Sequence, residues 1–535
     1  MAAPRGGRGT WGALAAAVVA ALAVRLLLCA LPLYRSTDFE VHRNWLAITH
    51  SLPLSRWYFE ETSQWTLDYP PLFAYFEWAL SQAAAVVDPE MLRVNNLEYA
   101  SPATVTFQRC SVIACDLLLL AGAYAAGGGA AAPVALVLLN PALLLVDHIH
   151  FQYNGMLLGL LLLSAADLDG GRTYRGAFLF CLLLSFKQIF LYVAPVYFVY
   201  LLRGHCGLRF TGHGALLGFQ LRYGALVQLG LLVVLTFAAV WLPVVCTGQA
   251  AQAASRMFPF GRGLTHAYWA PNVWAIYNTL DRGLAKIGLG AQGGQSSTAG
   301  FAEVYESSVL WTVPPKATFA LTLLAYAPLL VVIWRRTPPE ATQARGCAQG
   351  NPPRQYVFTL YVALGCAVSF ACGWHVHEKA ILMVTIPLLA AAAGSRSAEL
   401  CAAAAALSLL GTFSVLPLLP QRRLETAVKW ALLVAGHASE ACLLHRSSAR
   451  GAAPAGGGRL ALFGVWPLPG ALVVLGVAAL GAYVDAGGHQ LLFGGRMEFL
   501  PLLLVSDFSA VLVLGCFGRL FLLAGAPGAS GALPR

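Results

Sequence analysis

LFAYFEWALSQAAAVV, residues 72 to 87, is the stretch on which the topology of this chain turns. It is apolar enough to pass for a membrane span, but it follows Pro70-Pro71 and is amphipathic rather than uniformly apolar. Counted as a span, it would reverse the side of every later loop and put the Arg-rich loops on the wrong face of the membrane. It is therefore read as a helix lying on the membrane interface, within a large first external loop of residues 34 to 106.

The composition around it sets the class. Of 535 residues, 58% are hydrophobic and 11% charged, and the mean hydropathy is +0.67. Few soluble domains have that balance. Apolar runs of the about 20 residues that cross a bilayer as helix recur from end to end. The expected fold is an all-α polytopic membrane protein, one integral domain over residues 1 to 535. Candidate spans lie near Trp11 to Leu33, Phe107 to Ala126, Pro133 to Val146, Gly155 to Ala166, Ala177 to Leu202, Ala225 to Cys246 and Ala317 to Trp334. They continue near Tyr356 to Cys372, Ile381 to Ala393, Leu400 to Leu418, Ala427 to Leu444, Leu460 to Val484 and Phe499 to Leu523. The run from Ala177 to Leu202 is broken at Ser185-Phe186-Lys187-Gln188 and reads as two short helices, which makes about fourteen spans and returns both termini to one side.

With Arg5 and Arg8 in the cytosol, that count puts Arg203 to Arg222, Arg335 to Arg345, Ser395 to Ser397 and His445 to Arg459 on the cytosolic side. Three of these loops are rich in Arg, as the positive-inside rule requires. Gln421-Arg422-Arg423 is the exception. The net charge of +10 thus belongs to cytoplasmic loops and membrane lipids, and no nucleic-acid partner is expected. The first apolar run, with Arg25, reads as a retained anchor rather than a cleaved signal peptide. The twelve Cys, most of them in apolar runs and none in a CxxC pair, read as small buried hydrophobes. Gly127 to Ala132 and Gly451 to Gly458 read as flexible connectors, and Leu533-Pro534-Arg535 shows no KDEL signal.

All the polar segments then fall on the non-cytosolic face: residues 37 to 71, Asp147 to Asn154, Arg256 to Asn278 within a second large loop (247 to 316), and Trp374 to Lys379. A transporter would bury its ionisable groups near the midplane and show paired halves, and no such repeat is found. Aromatic-rich polar loops over an apolar bundle suit a substrate with a polar head and a lipid tail, such as a lipid-phosphate sugar.

DFEVHRNW, WTLDYPP, VDHIHFQYNG, FPFGRGL, HAYWAPNVWA and GWHVHEKAIL, spread over residues 38 to 382, resemble the motifs of the endoplasmic reticulum glucosyltransferases that use dolichyl-phosphate glucose. The resemblance implies a GT-C type fold with a lumenal first loop holding the catalytic group. It implies inverting transfer of glucose from dolichyl-phosphate glucose to a lipid-linked oligosaccharide, with no cofactor. Members that add the first glucose read closer to DFEAQRHW at the first motif, so DFEVHRNW favours an acceptor that already carries one glucose. First-glucose transfer is the alternative, and a lipid or sugar transporter or a membrane scaffold the distant ones. Ser185-Phe186-Lys187-Gln188 departs from the family, in which a His tends to flank Phe-Lys on either side.

Asp38 corresponds to the family's first-loop aspartate and is the expected catalytic base; by composition alone it could equally cap the helix that follows. Glu40, His42, Arg43 and Trp45 follow on helical spacing, with Asp38, His42 and Trp45 on one face and Arg43 elsewhere. Asp68 and Tyr69 could position the acceptor, although Asp68 could also cap the next helix. Asp147, His148, His150, Gln152 and Asn154 are expected to bind sugar hydroxyls or phosphate. His148 and His150 would share a side if their strip is extended and lie apart if it is helical, and no metal is expected there or at His375 and His377. Lys187, costly in an apolar run, needs a partner such as donor phosphate or must snorkel. Arg109 reads as a snorkelling anchor. Arg262, His266, Trp269 and Asn272, with Trp374, His375, His377, Glu378 and Lys379, complete the candidate substrate-binding set.

Overall fold

The computed structural model describes residues 8–213, 216–258, 260–289, 297–298, 306–338, 356–395, 397–449, 463–465 and 468–525. The expectations for Arg5, for residues 339–345, for Gly451 to Gly458 and for the C-terminal tripeptide lie outside them. In chain order the helices are α1 (Arg8–Ala30), α2 (Thr37–Ser51), α3 (Pro71–Val87), α4 (Pro102–Ala126), α5 (Ala131–Leu138), α6 (Pro141–Leu143), α7 (Asn154–Asp169), α8 (Thr173–Phe186), α9 (Ala194–Gly204) and α10 (Tyr223–Cys246). There follow α11 (Ala250–Met257), α12 (Val273–Lys286), α13 (Pro315–Arg336), α14 (Val357–Cys372), α15 (Leu382–Ser395), α16 (Ala398–Val415), α17 (Arg423–Ala449), α18 (Gly470–Asp485), α19 (Gly488–Phe493) and α20 (Leu500–Gly525). A π-helical segment, Leu144–Phe151, continues α6.

Among the described residues, nine helical stretches are long and apolar enough to cross a membrane, and four shorter ones, Thr173–Phe186, Gln188–Gly204, Val357–Cys372 and Gly470–Asp485, are mainly apolar. The chain is a multi-pass all-α membrane protein. The break inside Ala177 to Leu202 is real: Lys187 is extended (φ −151, ψ 120) between α8 and a 3-10 turn, Gln188–Val193. The span expected from Leu460 instead starts at Gly470, because Pro469 supplies no N–H to an earlier turn and sits as the N-cap.

α2 begins where acidic side chains suit a helix N-terminus, with Asp38 and Glu40 in its first turn. It ends at Leu52, whose following Pro53 disfavours helical backbone. α3 starts with Pro71 at its first turn, where the missing N–H costs nothing. It buries Phe73, Ala74, Glu77, Ser81 and Ala84 against α2 and α8, while Trp78, Val86 and Val87 face outward. His42 Nδ1 meets the fully buried Glu77 at 2.7 Å between them. His42, Trp45, Tyr69, Phe73, Phe151 and Tyr153 form one edge-on aromatic cluster, each pair adding about 0.5–1.5 kcal/mol beyond its burial. The second large loop is tied to the first: fully buried Gln249 donates to Leu54 O (2.7 Å) and accepts from Tyr58 N (2.9 Å), and Arg256 donates to Glu60 O and Glu61 Oε1.

Beneath these loops α4 and α7 pack backbone to backbone. A Cβ at Gly159 would strike the Leu118 carbonyl, and one at Gly122 the Gly159 carbonyl, so only glycine fits this contact.

Candidate active site

Three segments far apart in sequence meet at Asp38. Its Oδ2 accepts from Lys379 Nζ (2.7 Å) and Gln152 Nε2 (2.7 Å), and His150 Nε2 lies 3.2 Å from it. Lys379 Nζ is also 3.2 Å from His150 Nε2. Oδ1 has no hydrogen-bond partner among the described residues, and the side chain is 24% exposed. Burial works to raise the Asp38 carboxyl, but the Lys379 ammonium and the His150 ring outweigh it and hold the group well below the usual carboxylate range. Asp38 does not cap its helix: Ser36 holds the N-cap position and its hydroxyl donates instead to the His150 carbonyl.

The strip Asp147 to Asn154 is helical through Phe151, which settles its geometry. His148 turns away and meets Asp116 (2.9 Å), which Arg25 also holds (2.6 Å), so His148 belongs to a buried ion cluster between α1 and α4 rather than to the rim. Phe151 then takes a left-handed φ of 83°, costly for a bulky side chain, and packs on Phe39 at 5.3 Å. This reversal aims His150 and Gln152 together at Asp38. Asn154 links the next layer: its Nδ2 donates to Gln152 Oε1 (2.7 Å) and Asp147 Oδ1 (2.9 Å), and its Oδ1 accepts from Lys187 Nζ (3.4 Å). Gly155 N donates to Asp147 Oδ2. A chain of polar contacts therefore runs from Lys187 through Asn154 and Gln152 to Asp38.

Lys187 has the partners its position demands. It lies 4.9 Å over the Tyr69 ring, which also meets Trp45 edge-on. Asp68 next to Tyr69 faces Arg262 Nη2 at 3.6 Å; burial raises its carboxyl, with Arg262 and Lys187 pulling the other way. The N-cap of α3 is Pro70, so Asp68 does not cap it. Gln188 donates to Asp68 O and Met257 O, pinning the α8 break to both loops.

His266, His375 and His377 form a second cluster, with ring centroids 4.3 to 5.7 Å apart. His266 Nδ1 is 3.9 Å from Glu378 Oε2. Neither carboxylate oxygen of buried Glu378 has a hydrogen-bond partner among the described residues. His375, at a left-handed φ of 49°, donates from Nδ1 to Gly263 O (2.7 Å). Burial pushes His266 down to about 3 and His375 to about 4, and takes His377 well below its ordinary value, so all three rings are neutral. The ligand atoms of His266, His377 and Glu378 lie within 4.8 Å of one another and could hold a cation.

Several expected site residues lie outside this arrangement. Arg43 is fully buried in a two-point ion pair with Glu40 (2.7 Å each) and donates to Met91 O and Arg93 O, which fastens α2 to the rest of the first loop. Asn272 caps α12 and donates to Phe370 O. The Trp269 ring carries Arg282 at 4.6 Å, and only its backbone bridges His377. Trp374 packs with Leu264, Trp274 and Val313. Arg109 donates to Cys29 O, Leu31 O and Leu33 O, closing the end of α1. Tyr34 is a residue that motif reading passes over. Its hydroxyl donates to Leu418 O (3.0 Å) and lies 2.5 Å from His150 Nδ1, and its backbone N–H donates to Glu425. A tyrosine at the end of an apolar run reads as an interface anchor, so no local signal marks it.

A helical membrane bundle carrying a held carboxylate, two half-buried lysines and a histidine cluster at one end suits a multi-pass membrane transferase. The chain belongs to the ALG6, ALG8 glycosyltransferase family, whose description matches residues 21–520. A Drosophila melanogaster protein named probable dolichyl pyrophosphate Glc1Man9GlcNAc2 alpha-1,3-glucosyltransferase is 44% identical over 513 residues, 94% of this chain and 93% of the relative. Proteins given that name without the qualifier are 42% identical in Arabidopsis thaliana (92% of this chain, 94% of the relative) and 47% identical in Bos taurus (69% and 71%).

Proposed function

We propose that this protein transfers glucose from dolichyl-phosphate glucose to the monoglucosylated lipid-linked oligosaccharide, Glc1Man9GlcNAc2-PP-dolichol, forming an alpha-1,3 linkage with inversion on the lumenal side of the endoplasmic reticulum membrane. In this reading residues 34 to 106 and 247 to 316 are lumenal, α3 lies on the interface, and both termini are cytosolic. The observation that carries it is the Asp38 carboxylate, fixed through Oδ2 by Lys379 and Gln152 with Oδ1 left for a substrate.

Oδ1 takes the proton of the acceptor hydroxyl as its oxygen attacks the anomeric carbon from the face opposite the phosphate. The bond from that carbon to the phosphate oxygen breaks, and dolichyl phosphate leaves with the electron pair. A phosphate is a good leaving group and needs little protonation. Lys187 and Arg262, on either side of Asp68 and Tyr69, supply the positive charge that suits it. Neutral His266, His375 and His377 offer hydrogen bonds to sugar hydroxyls or phosphate.

Purified protein given the donor and a panel of defined lipid-linked glycans tests the assignment. Product from the monoglucosylated acceptor supports it; product from the non-glucosylated acceptor alone would favour first-glucose transfer, and flux without transfer would favour a transporter.

A further inference from the structure

A cavity of about 530 Å³ opens at the same end of the bundle as Asp38, and of its lining residues Tyr268 alone falls within a motif quoted above. Such a volume falls within the about 300–1,000 Å³ of small-molecule sites. Tyr268 brings an aromatic ring to its lining, Lys429 and Asp485 a polar pair, and the exposed Gln490 and Glu498 an amide and a carboxylate. A second cavity, about 330 Å³ beside Arg172 and Arg175, lies at the C-terminal end of α7, whereas Asp38 is linked to that helix's N-terminal end, so it sits at the opposite end of the bundle.

Two contacts join the larger cavity to the reaction centre. Tyr34, against His150, donates to the carbonyl of Leu418, whose neighbours Pro417 and Leu419 line the cavity. Tyr268 lines it too and stacks on His266 with centroids 6.0 Å apart. Tyr34 and His150 on one route, and Tyr268 and His266 on the other, thus lead from the cavity toward Asp38.

Its chemistry is that of a sugar site rather than a phosphate site. Lys429 is neutralised by Asp485 at 2.7 Å, with Trp430 Nε1 also on that carboxylate, and Glu498 adds a negative charge, so there is no surplus cation for a phosphate. Gln490 and Glu498 are exposed and make no side-chain hydrogen bond among the described residues. An amide and a carboxylate in one cavity with the exposed Tyr268 ring match a sugar's hydroxyls and its apolar C–H faces.

Resting on the function proposed above, we infer that this cavity is the acceptor-glycan subsite, holding the sugar units next to the one that reacts at Asp38, with Gln490 and Glu498 reading their hydroxyls. The test uses the full-length purified chain, the dolichyl-phosphate glucose donor and the monoglucosylated acceptor. In the Gln490→Ala/Glu498→Gln double variant, the acceptor KM is expected to rise about tenfold while the donor KM stays close to wild type. Independently, an acceptor bearing a photoreactive group on its terminal sugars should crosslink wild-type protein within residues 484–505. If wild-type protein transfers glucose but the double variant keeps its acceptor KM, or the crosslinks map elsewhere, the subsite assignment is overturned. If wild-type protein transfers nothing to this acceptor, the functional reading fails first and the subsite falls with it.

Discussion

Lys379 Nζ lies 2.7 Å from Asp38 Oδ2, a bond between residues 341 positions apart that fixes the carboxylate over the bundle. Asn in place of Asp38 can still accept from Lys379 and Gln152, but it cannot take a proton. Asp38→Asn is therefore expected to lower kcat by about 10²–10⁴-fold while the thermal transition of the purified protein stays near wild type. Near-normal turnover would remove Asp38 from the role of base.

The same bond sets a pH dependence. Asp38 is held below its ordinary range, so its basic form is present down to low pH and is lost as pH falls through that depressed value. Lys379→Met removes the main charge working against burial. The acid limb of kcat/KM should then move to higher pH, along with a lower plateau. An acid limb that stays put or moves lower would show that Lys379 does not set the Asp38 charge.

Under the site, Arg25 and His148 share the Asp116 carboxylate, and Arg25 also donates to Leu138 O (2.8 Å). Arg25→Met would leave Asp116 buried without its guanidinium partner, a loss of about 3–5 kcal/mol for a broken buried pair. A lower unfolding temperature in detergent is expected, with much of the loss recovered in Arg25→Met/Asp116→Leu. Equal stability of the single variant and wild type would mean that His148 alone suffices.

Much of the architecture could be read from the chain, because a bilayer leaves few options for runs such as Tyr223–Cys246 or Leu500–Gly525. The helix break at Lys187 was legible for the same reason: a lysine flanked by polar residues cannot continue an apolar span unpartnered. Side-chain direction was not. Whether His148 or His150 faces Asp38 depends on one π-helical segment and on the positive φ of Phe151, which no spacing rule encodes. Arg43 and Asn272 looked like ligand-binding residues because their types are, yet both satisfy buried backbone carbonyls. The C-terminal cavity escaped because its polar residues are spread over α17, α18, α19 and the turns around them and gain meaning only when folded together.

The grouping of His266, His377 and Glu378 brings metal chemistry to a direct test. Neutral imidazoles and a carboxylate without hydrogen-bond partners are suitable ligands. Against them stands Lys379, next to Glu378 in the chain and bonded to Asp38, whose ammonium charge would repel a divalent ion at short range. In the function proposed above, Lys187 and Arg262 supply the positive charge for the phosphate leaving group without a metal. Turnover is therefore expected to persist after extensive dialysis against EDTA. Activity that disappears with the chelator, returns with a divalent ion, and does not return in Glu378→Gln would instead make this cluster a metal centre.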